Sequence, residues 1–250
     1  MTINPTYAEF SDPRLVALYD TANALGDDSD FFCHIAQKLS STSIIDLGCG
    51  TGLLTCELAK CGHKMIGVEP SEEMLKVAQR KNCSEQVQWI KGGYEKLEGL
   101  QTEMVLMTSH VAQFFIDDEE WQKMLKATHK TLKPGGHIVF DSRNPLTKPW
   151  EKWTRETSSK KFNTPNGEIE MWYQLLELKN NCVLYEIHYL FIKTNEKLVS
   201  VNKLIYRSQA EITQSIVDGG FIVQNIYGDW ESSPFGEKSP EMIFVAVRNE

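Results

Sequence analysis

Three glycines, Gly48, Gly50 and Gly52, fall within five positions between an apolar run at 43–47 and a helical pattern in "LLTCELA" at 53–59. Glycine admits backbone conformations closed to other residues and leaves room for close approach, so a strand, a tight turn and a helix are expected in immediate succession. The same alternation surrounds this turn. Phe31, Phe32, Ile35, Ala36 and Leu39 recur at helical spacing before it. After it, a strand pattern at 64–70 leads to a helix over 71–81, with Ser71 as cap, Glu72 and Glu73 at the positive end and basic residues in the last turn. Further strands are expected at 86–90 and 103–108. A helix then opens at 117–120, carries Trp121, Met124, Leu125 and Leu132 on one face, and is expected to stop at Pro134-Gly135-Gly136 before a fifth strand at 137–141. Right-handed crossovers place such helices on both faces of a parallel sheet, and ligands of such sheets sit beyond the carboxyl ends of the strands.

The period changes after residue 168. Three β-rich runs between 168 and 206 are separated by "NN" and "TNE", as in an antiparallel meander. Tyr185, Ile187, Tyr189 and Phe191 share one face, while Glu186 and His188 share the other, read as a solvated outer face. Ser208 and Glu211 form a capping box for a helix closed by Gly219-Gly220, and two final strand patterns complete the chain. Met74, Met104 and Met107 read as core.

The glycine spacing is G-x-G-x-G. A dinucleotide fingerprint starting at Gly48 requires glycine where Leu53 stands, and no Gly-Lys-Ser/Thr follows for a phosphate loop. Glu69 closes the second strand, where a carboxylate can accept from both hydroxyls of a ribose. Asp46, at the end of the first, can receive an ammonium group. The formal charge of −8 opposes general nucleic-acid affinity. The opening residues show no basic segment before an apolar core, and no run reaches membrane-spanning length, so a cytoplasmic protein without membrane or nucleic-acid partners is expected. Cys33, Cys49, Cys56, Cys61, Cys83 and Cys182 lack metal-ligand spacing and read as reduced thiols, and no metal site is expected.

"DLGCGTG" (46–52) followed by "GVEPSEEML" (67–75) resembles the nucleotide-binding half of class I S-adenosylmethionine-dependent methyltransferases. The resemblance extends through "LKPGG" (132–136) and covers roughly residues 15–145. "MTSHVAQFFIDDEEW" and "HIVFDSRNP" are similar to a bacterial group of small-molecule methyltransferases. It implies a Rossmann-like, doubly wound α/β fold: a seven-stranded, mostly parallel sheet with a terminal antiparallel strand, plus a small antiparallel β insertion. In one methyltransferase domain over 1–250, residues 1–40 would be an N-terminal helical cover, 41–146 the cofactor-binding core, 147–206 the acceptor-side insertion, and 207–250 the closing helix and strands.

By the same resemblance S-adenosyl-L-methionine is the cofactor and S-adenosyl-L-homocysteine its product. Asp46, Gly48, Cys49 and Gly50 would surround its methionine portion, Gly52 would let the next helix pack closely, Glu69 would hold the ribose and Pro70 the adenine side. Ser109, His110 and Gln113 would border the methyl group, and Tyr19 would come from the cover. The family's Gly-Asp-Ala after the third strand is replaced by "KGGYEKL", so Gly93 and Tyr94 take its place, with Glu95 or backbone groups as substitutes for the missing acid, or with a weaker cofactor affinity.

Methyl transfer needs alignment more than catalytic side chains, and a base only where the nucleophile must lose a proton. His110 is the candidate base, with lining of the acceptor pocket its other reading. Asp141 and Arg143 could bind a charged acceptor or form a local ion pair, whereas His137 starts its strand away from the site and has no chemical role. Trp150, Trp153, Trp172 and Tyr173 are candidates for an apolar cover over the acceptor, and Trp230 for a binding or packing role. The partner expected is a small-molecule acceptor, the protein a monomer or homodimer. A nicotinamide-dependent oxidoreductase, a nucleic-acid methyltransferase and a non-catalytic cofactor-binding module are the alternatives.

Overall fold

The computed structural model describes residues 4–165 and 167–249. The helices are α1 (Ala8–Ser11), α2 (Pro13–Val16), α3 (Tyr19–Ala22), α4 (Asp27–Lys38), α5 (Leu53–Lys60), α6 (Glu72–Ala78), α7 (Asp118–Thr131), α8 (Arg155–Ser158) and α9 (Gln209–Asp218). The first five strands are β1 (Ser43–Leu47), β2 (Lys64–Glu69), β3 (Val87–Lys91), β4 (Thr102–Met107) and β5 (Leu132–Arg143). The insertion holds β6 (Lys160–Thr164), β7 (Gly167–Lys179), β8 (Cys182–Phe191) and β9 (Glu196–Ile205), and β10 (Phe221–Tyr227) and β11 (Glu241–Arg248) follow.

Seven strands form one sheet in the order β10-β11-β5-β4-β1-β2-β3, with β11 antiparallel to both neighbours and the rest parallel. Successive strand residues alternate between its faces. Ile45, Val105, Ile138 and Phe140 therefore pack under Trp121, Met124 and Leu125 of α7 and Ile212 and Ile216 of α9, while Ile44, Met104, Leu106 and Val139 pack under α4 and α5. Burial on both faces explains why these strands read as continuous apolar runs.

Three local expectations are corrected. Pro134-Gly135-Gly136 lies inside β5, not ahead of it: the pairing with β4 passes from Thr102↔Leu132 to Met104↔His137 across a bulge. A proline and glycines are tolerated there because bulged residues leave the ladder. Helix α6 ends at Ala78 and does not continue to 81. Cys56 and Cys83 form a disulfide, so the reading of six free thiols fails at these two. The packing of α5 beside the segment entering β3 sets their Cα atoms 5.5 Å apart, within bridging range.

The insertion is a four-stranded antiparallel sheet, one strand more than the meander expected, since the polar "KKFNT" of β6 carries no apolar alternation. Its inner face packs with Leu15 and Leu18 of the N-terminal segment. The outer face is not solvated as read. His188 is 7% exposed, stacked on Trp172 with centroids 4.8 Å apart, and its Nε2 lies 2.8 Å from Glu186 Oε2. Arg155 and Lys197 cover the same indole. The N-terminal segment links the insertion to the loops of the larger sheet: Val201 O accepts from the backbone N–H groups of Thr6 and Tyr7, and Asp20 accepts from the Thr51 hydroxyl and the Lys81 ammonium.

Gly52, at φ +73°, starts α5 where an added Cβ would sit 2.5 Å from the Trp89 ring of β3 and 3.2 Å from Ala78. Close packing was expected here, and its partners are β3 and α6. Gly52→Ala is expected to combine about 1–2 kcal/mol of left-handed strain with about 1–3 kcal/mol of overpacking. That corresponds to a melting temperature lower by about 5–15 °C in a domain of this size. Adding Trp89→Leu should restore the packing part and leave the backbone part, which calorimetry of the double variant would separate.

Candidate active site

A cavity of about 1180 Å³ opens beyond the carboxyl ends of β1, β2, β4 and β5, roofed by the insertion and the N-terminal helices. Its first wall is the glycine turn. Gly48 N–H donates to Val68 O at 2.7 Å, fixing the turn to β2, and Gly50 N–H donates to Glu69 Oε2 at 3.0 Å. The other oxygen of Glu69 accepts from Ser71 N–H at 2.8 Å, so this carboxylate locks together the two loops that frame the wall. A Cβ at Gly50 would meet nothing within 4 Å, so the backbone there lies open to an approaching group.

Asp46 is buried beneath the turn. Its Oδ2 accepts the Thr55 hydroxyl at 2.6 Å, while Oδ1 has no partner. Burial raises its pKa to about 6, against the Thr55 hydrogen bond and with a contribution from Glu69. Burial also pushes Glu69 up. Two desolvated carboxylates, one with an orphaned oxygen, make a place where a cation and hydrogen-bond donors are favoured.

The linkage has a definite sign. Folded protein holds the Asp46 proton to higher pH than the unfolded chain, so this group makes stability fall as pH rises from about 4 to about 6 and adds no slope above. A shift of about 2 units is worth on the order of 3 kcal/mol. Asp46→Asn is therefore expected to raise the melting temperature of the ligand-free protein near neutral pH and much less near pH 4, a contrast that thermal denaturation at the two pH values measures.

The second wall follows β4. Ser109 and His110 take φ values of 55° and 65°, two consecutive side-chain-bearing residues in the left-handed region. Such a turn costs about 1–3 kcal/mol per residue and persists only where surrounding contacts over-determine it. Here they do. His110 N–H donates to Asp141 Oδ2 at 2.9 Å, and His110 Nε2 lies 3.0 Å from Glu241 Oε2 and 3.3 Å from Asp141 Oδ2. Two carboxylates on Nε2 assign the proton to that nitrogen and leave Nδ1 as the ring's acceptor. Asp141 is fully buried, and desolvation lifts its pKa to about 6 despite nearby His110. Glu241 arrives from β11, directly across from Arg143 in the antiparallel register. One ligand-capable atom from each of His110, Asp141 and Glu241 lies within 4.8 Å of the others.

The third wall belongs to the roof. Tyr173, Tyr185 and Tyr189 of the insertion face the cavity with Trp153, and Glu9, Phe10 and Tyr19 close it from the N-terminal helices. Glu9 is buried, its pKa raised by desolvation, and it accepts from the Ser200 hydroxyl. Trp230 reaches the rim and packs on Phe31 and Phe32.

Of the residues singled out from sequence, Tyr19, Asp46, Gly48, Cys49, Gly50, Glu69 and Pro70 line this one cavity. Gly93, Tyr94, Ser109, His110 and Arg143 line it too. Glu95 joins them and accepts from Gly93 N–H at 2.9 Å. Three are elsewhere. Gln113 lies behind the wall, where its Oε1 accepts from Arg143 Nη1 at 3.0 Å and its Nε2 donates to Ile205 O. Trp150 packs on Tyr206 inside the insertion core, and Trp172 faces outward under Arg155, because the one-residue alternation of β7 sends Tyr173 inward instead. Glu9 and Glu241 were missed, since neither sits in a motif and both come from distant segments.

Residues 44–136 match the family model described as a methyltransferase domain. The chain is 26% identical over 212 residues to a putative methyltransferase of Geobacillus sp. (strain WCH70), covering 82% of this chain and 84% of that protein. It is 24% identical over 216 residues to the cypemycin N-terminal methyltransferase of a Streptomyces species, covering 85% of each. The crystal structure of an S-adenosylmethionine-dependent methyltransferase from Clostridium acetobutylicum superposes with a TM-score of 0.77 at 17% identity, over 95% of this chain and 98% of that one.

Proposed function

We propose that this chain, which belongs to the class I S-adenosylmethionine-dependent methyltransferases, methylates a small molecule held between the glycine turn and the tyrosine-lined roof. The observation that carries the reading is the pairing, in one cavity, of an open glycine backbone over Asp46 and Glu69 with His110 held by two carboxylates. When bound, the cofactor supplies an electrophilic methyl group on a sulfonium, transferred in line to the acceptor's lone pair while sulfur leaves as a neutral thioether.

The residues present fit that group. Asp46, with its orphaned oxygen, would take the ammonium of the methionine portion, and Gly48, Cys49 and Gly50 would run beside its backbone atoms. Glu69 would accept from the ribose hydroxyls with the lone pairs its two backbone donors leave free. Pro70 and Tyr94 would flank the base, and Glu95 would supply the acid that Gly93 lacks. Tyr19 and Ser109 would close the cofactor in.

The chain's own chemistry is positional and acid–base. The cavity exceeds the usual 300–1,000 Å³ of a single small-ligand pocket, in keeping with a cofactor and a small acceptor side by side. The aromatic roof would keep water from the reacting centre. His110 Nδ1 would accept the proton that an ammonium or hydroxyl nucleophile sheds, with Glu241 and Asp141 steadying the imidazolium through Nε2. The roofed cavity and the formal charge of −8 favour a free small molecule over a nucleic acid as acceptor of what would be a monomer or homodimer.

Isothermal titration with S-adenosylhomocysteine and with NADH, followed by a transfer assay with labelled cofactor and a panel of amines, phenols and carboxylic acids, tests the reading. Binding of the thioether alone and label in an acceptor are expected. NADH binding without thioether binding would refute it.

A further inference from the structure

We infer that Arg143 is a subsite for a carboxylate, so that the acceptor is a small acid whose nucleophilic atom lies a short distance from its anionic group; this rests on the methyltransferase reading of the cavity. Arg143 ends β5 and lines the cavity, keeping accessible surface although it lies deep in the protein. A guanidinium cannot shed its charge, so one placed here calls for an anion. Among the described residues none is paired with it. Its Nη1 donates to the neutral amide oxygen of Gln113 at 3.0 Å. The carboxylates of its neighbourhood, Glu241 and Asp141, converge on His110 Nε2. The remaining ionisable groups around it are the phenols of Tyr173, Tyr185 and Tyr206, which stay neutral because burial raises all three.

Gln113 fixes the orientation of the fork. Its Nε2 is anchored on Ile205 O at the end of the insertion, so one edge of the guanidinium is clamped while the arginine still faces the cavity. A planar fork matches a carboxylate through two parallel hydrogen bonds, which an ammonium does not. Arg143 stands two residues beyond Asp141 on the same strand face, about 6–7 Å along the strand from the carboxylate that holds His110. An acid bound to the fork would therefore bring an amine or hydroxyl within the neighbourhood of His110, between the two walls.

The test compares matched probes, glycine with glycinamide and benzoate with benzamide, by titration into wild type, Arg143→Met and Arg143→Lys, each saturated with S-adenosylhomocysteine. At least one acid is expected to bind wild type about tenfold or more tightly than its amide. Arg143→Met should bring that ratio to about one, Arg143→Lys should give an intermediate value, and the affinity for S-adenosylhomocysteine should stay as in wild type. Equal binding of acids and amides, no binding of either, or a preference that survives in Arg143→Met overturns the inference while leaving the methyltransferase reading intact. Arg143→Lys keeps the test readable if Arg143→Met does not fold. Failure of S-adenosylhomocysteine to bind wild type is the separate result that removes the reading underneath.

Discussion

Glu69→Ala is expected to weaken S-adenosylhomocysteine binding by about 100- to 1,000-fold. The carboxylate has two tasks at once. It accepts from Gly50 and Ser71 N–H, which shapes the wall, and its remaining lone pairs are the acceptors assigned to the ribose hydroxyls. Hydrogen bonds to charged groups contribute about 1.5–3 kcal/mol each, and a backbone donor left unpaired costs about 1–3 kcal/mol. Two ribose contacts taken near the lower end of that range give about 3–4 kcal/mol, or two to three powers of ten. Glu69→Gln keeps one acceptor oxygen and should lose about tenfold. Titration calorimetry reads both, and the melting temperature of the ligand-free variants separates ribose contacts from a collapsed turn. If Glu69→Ala binds as wild type does, the acidic strand end has no role in nucleoside recognition.

His110→Ala is expected to lower kcat by about 100- to 10,000-fold for an acceptor that must shed a proton, with the affinity for S-adenosylhomocysteine largely retained. The imidazole is not a loosely placed loop histidine. Its backbone sits in a left-handed turn held by Asp141, and its Nε2 faces Asp141 and Glu241. That arrangement resembles the orienting third member of a catalytic triad in logic, with Nδ1 as the working nitrogen. Because the Asp141 pKa is lifted to about 6, its proton returns as pH falls through that value. kcat/KM should drop with acidification there, and Asp141→Asn should remove the Asp141 contribution and leave a shallower acid limb. A fall in kcat of less than about tenfold in His110→Ala would assign the rate to proximity alone, which can itself supply several kcal/mol.

The glycine-turn side of the cavity was legible because its determinants are local. A strand, a glycine turn and an acid at the next strand's end are close in sequence, and Asp46, Gly48, Gly50 and Glu69 line one cavity. The opposite side was not, because it is assembled from separate segments. Glu241 reaches His110 only through the antiparallel register of β11 on β5, and Glu9 reaches the cavity only once the N-terminal helices lie across the insertion. Trp150 and Trp172 were misplaced for different reasons: Trp150, in the turn Pro149–Lys152, is taken up by packing on Tyr206, whereas for Trp172 aromatic size marks burial but strand parity decides which face meets the cavity. In β7 the parity favours Tyr173. Gln113 shows the same limit on a finer scale. It is buried where a site residue was expected, yet it acts on Arg143 from behind.

The most direct test is a crystal structure of the protein with S-adenosylhomocysteine. The ribose hydroxyls should rest on Glu69, the ammonium on Asp46, and the sulfur should point toward His110 and the tyrosine roof. A nucleoside bound elsewhere, or a sulfur turned away from the His110 wall, would contradict the assignment.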